Sequence, residues 1–136
     1  MRISAKGKYA VKMLVDLAEN NGEDFISLSD IAERKNISKK FLEQIVPIFV
    51  KAGIVRANRG NRGGYRLNKP ACMCTIGEVL RATDGELLPV DDAVYDSDAS
   101  VQFIWEGLHD TVCNYVDRIS LQDIIERKNE FYDYII

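Results

Sequence analysis

Apolar side chains recur along the first twenty residues at the three- and four-residue spacing of an α-helix. The spacing predicts a helix from about Lys6 to Asn20, and Gly22 supplies its stop. The apolar positions of this helix are Tyr9, Ala10, Met13, Leu14, Leu17 and Ala18. Phe25 and Ile26 then predict a very short strand.

Two capped helices follow this strand. Residues 27–30 read Ser-Leu-Ser-Asp, which is a capping box, and the apolar spacing continues the helix to about Lys35. After a turn, Ser38 is predicted to cap a second helix that ends near Gly53. Pro47 lies inside this second helix and is expected to kink or divide it, because proline has no backbone N–H. Two short helices across a tight turn form a helix-turn-helix unit.

Residues 56–67 read RANRGNRGGYRL, in which four arginines and three glycines occur without an acid. Residues 54–57 and 65–67 predict two strands, with residues 59–64 as the loop between them. A basic hairpin directly after a helix-turn-helix unit is typical of the winged-helix arrangement. The hairpin is then the wing.

The pattern after Pro70 is helical. Short helices are predicted over residues 75–83 and 120–128, and a longer one over about residues 100–119. Residues 86–99 are acidic and predict a loop. The last six residues, FYDYII, form an aromatic and apolar tail.

The predicted fold class is mainly α with a small β-hairpin wing (α+β). It comprises a winged helix-turn-helix DNA-binding domain over residues 1–70 and a dimerisation and regulatory region over residues 71–136. Residues 1–70 hold 14 Lys and Arg against 7 Asp and Glu, whereas residues 71–136 hold 4 against 14. Such asymmetry is typical of a nucleic-acid-binding portion joined to an acidic remainder, although segregated surface charge is the alternative.

Several classes of protein are disfavoured. No apolar run approaches the roughly 18 residues of a membrane span, and the N-terminal segment lacks the apolar core of a signal peptide, so the expected location is the cytoplasm. Three cysteines, an odd number, disfavour a disulfide framework. No P-loop, nucleophile elbow or zinc motif occurs, so an enzyme is not expected, and no catalytic residue or metal ligand is predicted.

The second helix of the unit presents a polar N-terminal face. Its candidates for DNA contact are Ser38, Lys39, Lys40, Phe41, Glu43 and Gln44. Glutamine can pair with adenine, glutamate can accept from cytosine, and lysine can donate to guanine or to phosphate. Phe41 fits either the core or a thymine methyl group. A solvated helix face would explain any one of these residues, but the complete unit with its wing favours double-stranded DNA as the partner.

The wing and the first helix supply further candidates. Arginine inserts into narrow minor grooves, and glycine lets backbone N–H groups approach phosphates. The predicted wing contacts are Arg56, Arg59, Gly60, Arg62 and Arg66. The predicted contacts to the DNA backbone are Arg2, Lys6, Lys8 and Tyr9, with Lys12 as a further basic residue.

The long helix carries a wide apolar stripe. Its predicted dimerisation residues are Val101, Ile104, Trp105, Leu108, Val112, Tyr115 and Val116. Packing on the rest of the chain is one outcome. A two-fold homodimer is favoured, because exposure would leave a large apolar patch and paired recognition helices match palindromic sites.

The cysteines and the single histidine have more than one interpretation. Cys72 and Cys74 flank one residue, a spacing that is poor for zinc or iron–sulfur sites, and they are either a redox pair or small apolar residues under the wing. Cys113 lies on the long helix. His109 is expected to be isolated on an exposed face, as polar surface.

Four segments resemble the Rrf-two family of bacterial winged-helix transcription regulators: MRISAKGKYAVKMLVDLA, SLSDIAERKNISKKFLEQIV, KAGIVRANRGNRGGYRL and TIGEVLRATDGE. The resemblance covers about residues 1–120. It implies homodimers in which the long helix crosses its mate while two winged helices read a palindrome. It also implies DNA-contacting positions at Ser38, Lys40, Phe41, Glu43, Gln44 and Arg59.

One departure from the family pattern concerns iron. Cluster-binding members carry three cysteines in the loop before the long helix, whereas residues 86–99 contain none, so no iron–sulfur cluster and no other cofactor is expected. The ELLPVDD segment and the aromatic tail also resemble those of cluster-free members that govern cysteine metabolism. That similarity implies repression of sulfur and cysteine genes, with O-acetylserine thiol-lyase as a candidate partner.

Two alternatives stay open. The first is a thiol-based redox-sensing regulator that uses Cys72 and Cys74. The second is a winged-helix module that binds protein rather than nucleic acid.

Overall fold

A computed structural model of the chain describes residues 1–22, 24–58, 63–90 and 97–135. Within these ranges the fold consists of α-helices and one two-stranded antiparallel sheet, which confirms the predicted fold class. The elements are α1 (Ala5–Glu19), α2 (Leu28–Lys35), α3 (Lys39–Lys51), β1 (Val55–Asn58), β2 (Gly64–Leu67), a short 3₁₀ turn (Ala71–Met73), α4 (Ile76–Asp84), α5 (Gln102–Asp117) and α6 (Leu121–Ile135).

Five of the described helices have a serine or threonine hydroxyl as their N-cap. The backbone N–H three residues further on donates to the capping oxygen of Ser4, Ser27, Ser38, Thr75 and Ser120. At α6 the box is complete, because the Asp123 carboxylate also accepts from the Ser120 N–H at 2.9 Å. These bonds satisfy N–H groups that have no partner inside the helix, so the local sequence determines where the helices begin.

The core lies where α1, α2 and α3 meet. The largest fully buried side chains there are Met13, Leu14, Leu17, Ile31, Leu42, Ile45 and Phe49. One charge is buried among them: Asp16 is 1% exposed and accepts two hydrogen bonds from the Arg34 guanidinium, at 2.8 and 2.9 Å. This bidentate pair compensates the desolvated carboxylate and ties α2 to α1.

Pro47 does not divide α3. The prediction that the helix is divided is wrong, because α3 is one helix from Lys39 to Lys51, while a kink within it stays a prediction. Proline removes only its own N–H from the helix ladder, and the Pro47 ring is on the exposed side. On the opposite side Leu42, Ile45 and Phe49 are fully buried and hold the helix against the core.

The wing hairpin pairs Val55 with Leu67 and Arg56 with Arg66. The predicted strand at Phe25–Ile26 is a single bridge, in which Ile26 and Tyr65 exchange two hydrogen bonds of 2.8 Å. Gly64 permits this approach, since a Cβ there would lie 3.0 Å from the Ile26 carbonyl oxygen and its φ of 154° is one that L side chains rarely adopt.

Helix α4 is held between α1 and α5 by two carboxylates that lie over glycines. The Ser4 N–H donates to Asp84 Oδ1 at 3.3 Å, and a Cβ on Gly7 would lie 2.6 Å from the other Asp84 oxygen. At the opposite side, a Cβ on Gly77 would overlap the Asp117 carboxylate of α5. Both glycines permit close helix approach, so α4 links the N-terminus of α1 to α5.

Helix α6 is longer than predicted. The segment expected to be a tail after Lys128 continues the helix to Ile135. The side chains of this last part contact one another, with Phe131 and Tyr132 in an edge-to-face pair and the Lys128 ammonium 5.9 Å from the Tyr132 ring centroid. Lys128 also donates to Glu19, so α6 packs back on α1.

Candidate nucleic-acid interface

The N-terminal end of α3 is an exposed polar face. Ser38, Lys39, Lys40, Glu43 and Gln44 all lie at the surface, as the sequence predicts. The Ser38 hydroxyl accepts the Phe41 N–H at 2.9 Å, which fixes the first turn of the helix. The exposed first turn of α3 therefore carries two lysines at the positive end of the helix dipole.

The rings of Phe41 and Tyr9 lie between this face and the core. Both are half-buried against the core, and their rings meet edge to face with 5.1 Å between centroids. The Lys12 ammonium lies 5.5 Å from the Tyr9 centroid. This placement favours the core role for Phe41, and it joins α1 to α3 directly beneath the candidate DNA contacts.

Basic first turns distinguish α1 and α3 from other helices. The first turns of α2, α4 and α6 hold acids, at Asp30, Glu78 and Asp123, as the helix dipole favours. Those of α1 and α3 hold no acid and two lysines each: Lys6 and Lys8, and Lys39 and Lys40. Cations in this position oppose the dipole, so their clustering requires another explanation, and an anionic partner provides one.

Among the described residues, no carboxylate forms an ion pair with the lysines of this face. Across the parts of the chain that the structure describes, the ion pairs are Arg34–Asp16, Lys35–Glu19, Lys128–Glu19, Lys69–Glu78 and Arg81–Asp117. None involves Arg2, Lys6, Lys8, Lys12, Lys39 or Lys40. These side chains are exposed, and their charge remains available to phosphate.

Two arginine side chains of the wing strands contact the same aromatic ring. Arg56 and Arg66 are directly opposite in the hairpin, and each guanidinium carbon lies 5.7 Å from the Phe25 ring centroid. Like charges opposite one another are unfavourable, and the shared ring offsets this by cation–π attraction. Phe25 was predicted only as part of a short strand, because nothing in the local sequence indicates its contact with the wing arginines. The predicted contacts Arg59, Gly60 and Arg62 lie outside the described residues.

The stripe on α5 is largely uncovered by the rest of the chain. Helix α5 contains no buried residue, and Ile104, Leu108 and Tyr115 are 44%, 43% and 68% exposed. Val101, Trp105, Val112 and Val116 are half-buried. Phe103, which was not among the predicted dimerisation residues, is 71% exposed. An apolar groove of about 370 Å³ adjoins the stripe, lined by Met1, Ile3, Leu80, Leu87, Val112 and Val116, among others.

Cys72 and Cys74 occupy different environments. Cys72 is exposed, whereas Cys74 is fully buried, and burial together with the nearby Glu78 raises the pKa of Cys74 to about 11. A thiol held protonated in the core is a poor nucleophile and a poor metal ligand. The geometry therefore favours Cys74 as a small apolar residue of the core, beside the start of α6.

His109 is not the isolated surface residue expected from the sequence. It is half-buried, its Nδ1 lies 3.1 Å from the Leu87 carbonyl oxygen, and its Nε2 lies 3.7 Å from Cys113 Sγ. The i, i+4 spacing of His109 and Cys113 on α5 is the signal in the sequence that indicates this contact. Leu87 follows α4 in the chain, so its part in the contact could not be read from local pattern.

The three cysteines do not suit an iron–sulfur cluster. No group of three His, Cys, Asp or Glu side chains in the described ranges could hold a metal ion. Cys74 is protonated in the core, and Cys113 lies beside His109 on α5.

Among the described residues no helix is long and apolar enough to cross a membrane.

Fold and charge together define the class: a winged-helix protein with a basic recognition face. The chain belongs to the Rrf2 family, whose model, described as an iron-dependent transcriptional regulator, matches residues 3–127. It is thus a DNA-binding transcription regulator, and the resemblance noted in the sequence is confirmed.

Named relatives cover nearly the whole chain. The HTH-type transcriptional regulator CymR of Bacillus subtilis is 34% identical over 91% of this chain and 89% of its own. The regulator IscR of Cereibacter sphaeroides is 34% identical over 96% of this chain and 89% of its own. A solved structure of CymR, the global cysteine regulator of B. subtilis, superposes with a TM-score of 0.84 at 32% identity, covering 93% of this chain and 98% of that chain.

Proposed function

We propose that the protein is a homodimeric repressor that reads a palindromic DNA operator. The observation that carries the proposal is the pair of basic first turns on α1 and α3, which are exposed and form no ion pair with any other described residue. Residues 1–70 bind the duplex, and residues 71–136 hold the two copies together. Within the face, α3 enters the major groove and α1 lies along the phosphates.

Individual residues have distinct roles in this complex. Glu43 and Gln44 read base edges, because their carboxylate and amide groups match cytosine and adenine in the major groove. The lysines in the first turns of α1 and α3 bind phosphates and set the register, without reading sequence. They are Lys6, Lys8, Lys39 and Lys40. The wing arginines enter the adjacent minor groove, where negative potential is concentrated.

Dimerisation through α5 follows from its exposed stripe. Ile104, Leu108 and Tyr115 lie uncovered beside an apolar groove in the single chain. A second copy related by a two-fold axis would cover the stripe and place two recognition helices on one side of the duplex.

The regulated genes are proposed to be those of cysteine and sulfur metabolism. Support comes from the similarity to CymR of B. subtilis, a global cysteine regulator. O-acetylserine thiol-lyase is the corresponding candidate partner. Purified enzyme mixed with the repressor should co-elute in gel filtration, and separate elution would remove this partner.

Selection of bound genomic fragments by the purified protein tests the whole proposal. The expected result is a palindromic motif upstream of sulfur and cysteine genes. A palindrome upstream of other genes would keep the DNA-reading mode and refute the sulfur assignment. A motif without two-fold symmetry would contradict the homodimer.

Regulation is proposed to proceed without an iron–sulfur cluster. The support is the absence of cysteine from residues 86–99 and the buried, protonated Cys74. Protein purified without oxygen should be colourless and contain no stoichiometric iron. A brown preparation with bound iron and acid-labile sulfide would refute this.

A further inference from the structure

Helix α3 ends in a Schellman motif that leads directly into the wing. Gly53 follows the helix with a left-handed φ of 77°, and its N–H donates to the Val50 carbonyl oxygen at 3.1 Å. The Ile54 N–H donates to the Phe49 carbonyl oxygen at 3.0 Å, which completes the motif. Strand β1 begins at the next residue, Val55. The direction in which the wing leaves α3 is therefore set at Gly53 and Ile54.

Asn68, the residue after β2, is bonded to both residues of this link. Its side-chain Nδ2 donates to the Gly53 carbonyl oxygen at 3.0 Å, and its backbone N–H donates to the Ile54 carbonyl oxygen at 2.8 Å. A carbonyl oxygen only accepts hydrogen bonds, so the contact with Gly53 requires the amide nitrogen rather than the amide oxygen. One residue thus joins the end of the second wing strand to the end of the recognition helix.

The chain beyond Asn68 is held in place by α4. Lys69 Nζ lies 2.9 and 2.8 Å from the two carboxylate oxygens of Glu78, in the first turn of α4. Helix α4 packs in turn on α1 and α3. Because Asn68 is anchored in this way, its side-chain bond restrains the link at Gly53 rather than moving with it.

Burial of apolar side chains does not by itself fix the angle of the wing. Ile54, Val55 and Leu67 are buried and keep the base of the hairpin in the core. Apolar burial is non-directional, whereas a hydrogen bond weakens steeply as its angle departs from linear. The core contacts should therefore preserve the fold without the Asn68 side chain, while the amide restrains the angle between the hairpin and α3.

We propose that Asn68 is a positioning residue for the wing. Its amide holds the hairpin at a fixed angle to α3, so that the wing arginines meet the duplex while α3 occupies the major groove. Asn68 itself does not contact DNA in this arrangement. The effect on DNA rests on the proposed function, whereas the restraint on the wing does not.

The first test measures the wing by nuclear magnetic resonance in the full-length protein without DNA. Asn68→Ala removes the amide but retains the backbone N–H that donates to Ile54. The order parameters of the Arg56 and Ala57 backbone N–H groups should fall from about 0.85 in the parent protein to about 0.6, while those of α3 stay unchanged. Order parameters equal to those of the parent overturn the proposal. Circular dichroism verifies that the variant is folded.

The second test measures affinity for a selected operator duplex by fluorescence anisotropy. Asn68→Ala should weaken binding about fivefold, because the wing must then be ordered at the moment of binding. Asn129→Ala is the matched control, since it removes an exposed asparagine side chain from α6, and it should bind normally. Unaltered affinity in Asn68→Ala overturns the role in DNA binding.

A double-mutant cycle separates positioning from direct contact. In a protein with Arg56→Ala and Arg66→Ala, the further change Asn68→Ala should weaken binding by less than about 1.5-fold, whereas with Lys39→Ala its effect should remain about fivefold. An equal loss without the two arginines overturns the positioning role, because Asn68 would then act on DNA directly. If the arginine changes alone leave affinity intact, the wing part of the proposed function fails and the effect of Asn68 on DNA fails with it. The order parameters still decide whether Asn68 restrains the wing.

Discussion

Helices α3 and α5 have similar apolar patterns and opposite surroundings. In α3, Leu42, Ile45 and Phe49 are fully buried against α1 and α2. In α5 no residue is buried, and Leu108 and Tyr115 are 43% and 68% exposed. The pattern indicates that a helix has an apolar face, but it does not indicate which molecule covers that face. We attribute the difference to a second copy of the chain.

The largest effect on operator affinity is expected from a charged residue in the apolar stripe of α5. Leu108→Lys places a charge in the proposed interface, so the protein should become monomeric. Its affinity for a palindromic operator should fall at least about 100-fold, because the second half-site no longer benefits from tethering. Sedimentation velocity and anisotropy measure both effects.

Asn114→Lys is the matched control for this change, since it adds the same charge at another exposed position of α5. It should remain dimeric and bind normally. A dimeric Leu108→Lys, or a monomeric parent protein, would contradict the comparison between the two helices.

The next largest effect is expected in the pH dependence of the free energy of unfolding, through the buried thiol of Cys74. Cys74 has a pKa of about 11 in the folded state, whereas an unfolded cysteine titrates near 8.5. Below that lower pKa both states hold the proton. Between the two pKa values, near 8.5 and about 11, the thiol of the unfolded state loses its proton while the thiol of the folded state keeps it. The free energy of unfolding should therefore fall by roughly 2–3 kcal/mol as pH rises through this range.

Urea unfolding at pH 7 to 11 under reducing conditions measures this loss, with Cys74→Ala as the comparison. The variant should show a shallower decline, because it lacks the titrating thiol. Parallel curves for the two proteins would show that Cys74 does not govern the decline.

The wing should depend on the ring beneath its arginines. Phe25→Leu retains an apolar side chain but removes the cation–π contacts to Arg56 and Arg66, so DNA binding should weaken by about 1 kcal/mol. Anisotropy measures the change, and Phe131→Leu on α6 is the control. Unaltered affinity in Phe25→Leu would show that the ring does not position the wing.

The smallest change in affinity is expected at Glu43. Glu43→Ala removes a base-reading carboxylate without removing positive charge, so it should relax sequence preference more than it lowers affinity. Selection from a randomised duplex library compares the variant with the parent protein. An identical sequence profile would assign Glu43 to the solvated surface.

Features encoded within a few residues could be predicted from the sequence. The caps at Ser27, Ser38 and Ser120 form as expected, because each depends on residues three positions apart. Fold class also followed, since the apolar spacing and the basic hairpin specify a winged helix. The division of α3 at Pro47 was wrong, because packing of the opposite face outweighed the lost hydrogen bond.

Features that join distant segments could not be predicted in the same way. Phe25 meets the wing arginines only after the hairpin folds back over it, and Asp117 meets Arg81 only when α5 packs on α4. Cys72 and Cys74 differ by two positions yet have opposite exposure, which depends on α6 and the core. Such contacts depend on tertiary packing rather than on local periodicity.

The salt dependence of operator binding tests the central claim, that the basic ends of α1 and α3 lie on duplex phosphates. With Lys6, Lys8, Lys39 and Lys40 in each of two copies, log affinity should fall linearly with log salt, with a slope of about −5 or steeper. In Lys40→Ala the slope should be shallower by about 2, because a dimer loses two such contacts. A flat response, or a slope that Lys40→Ala leaves unchanged, would contradict the account.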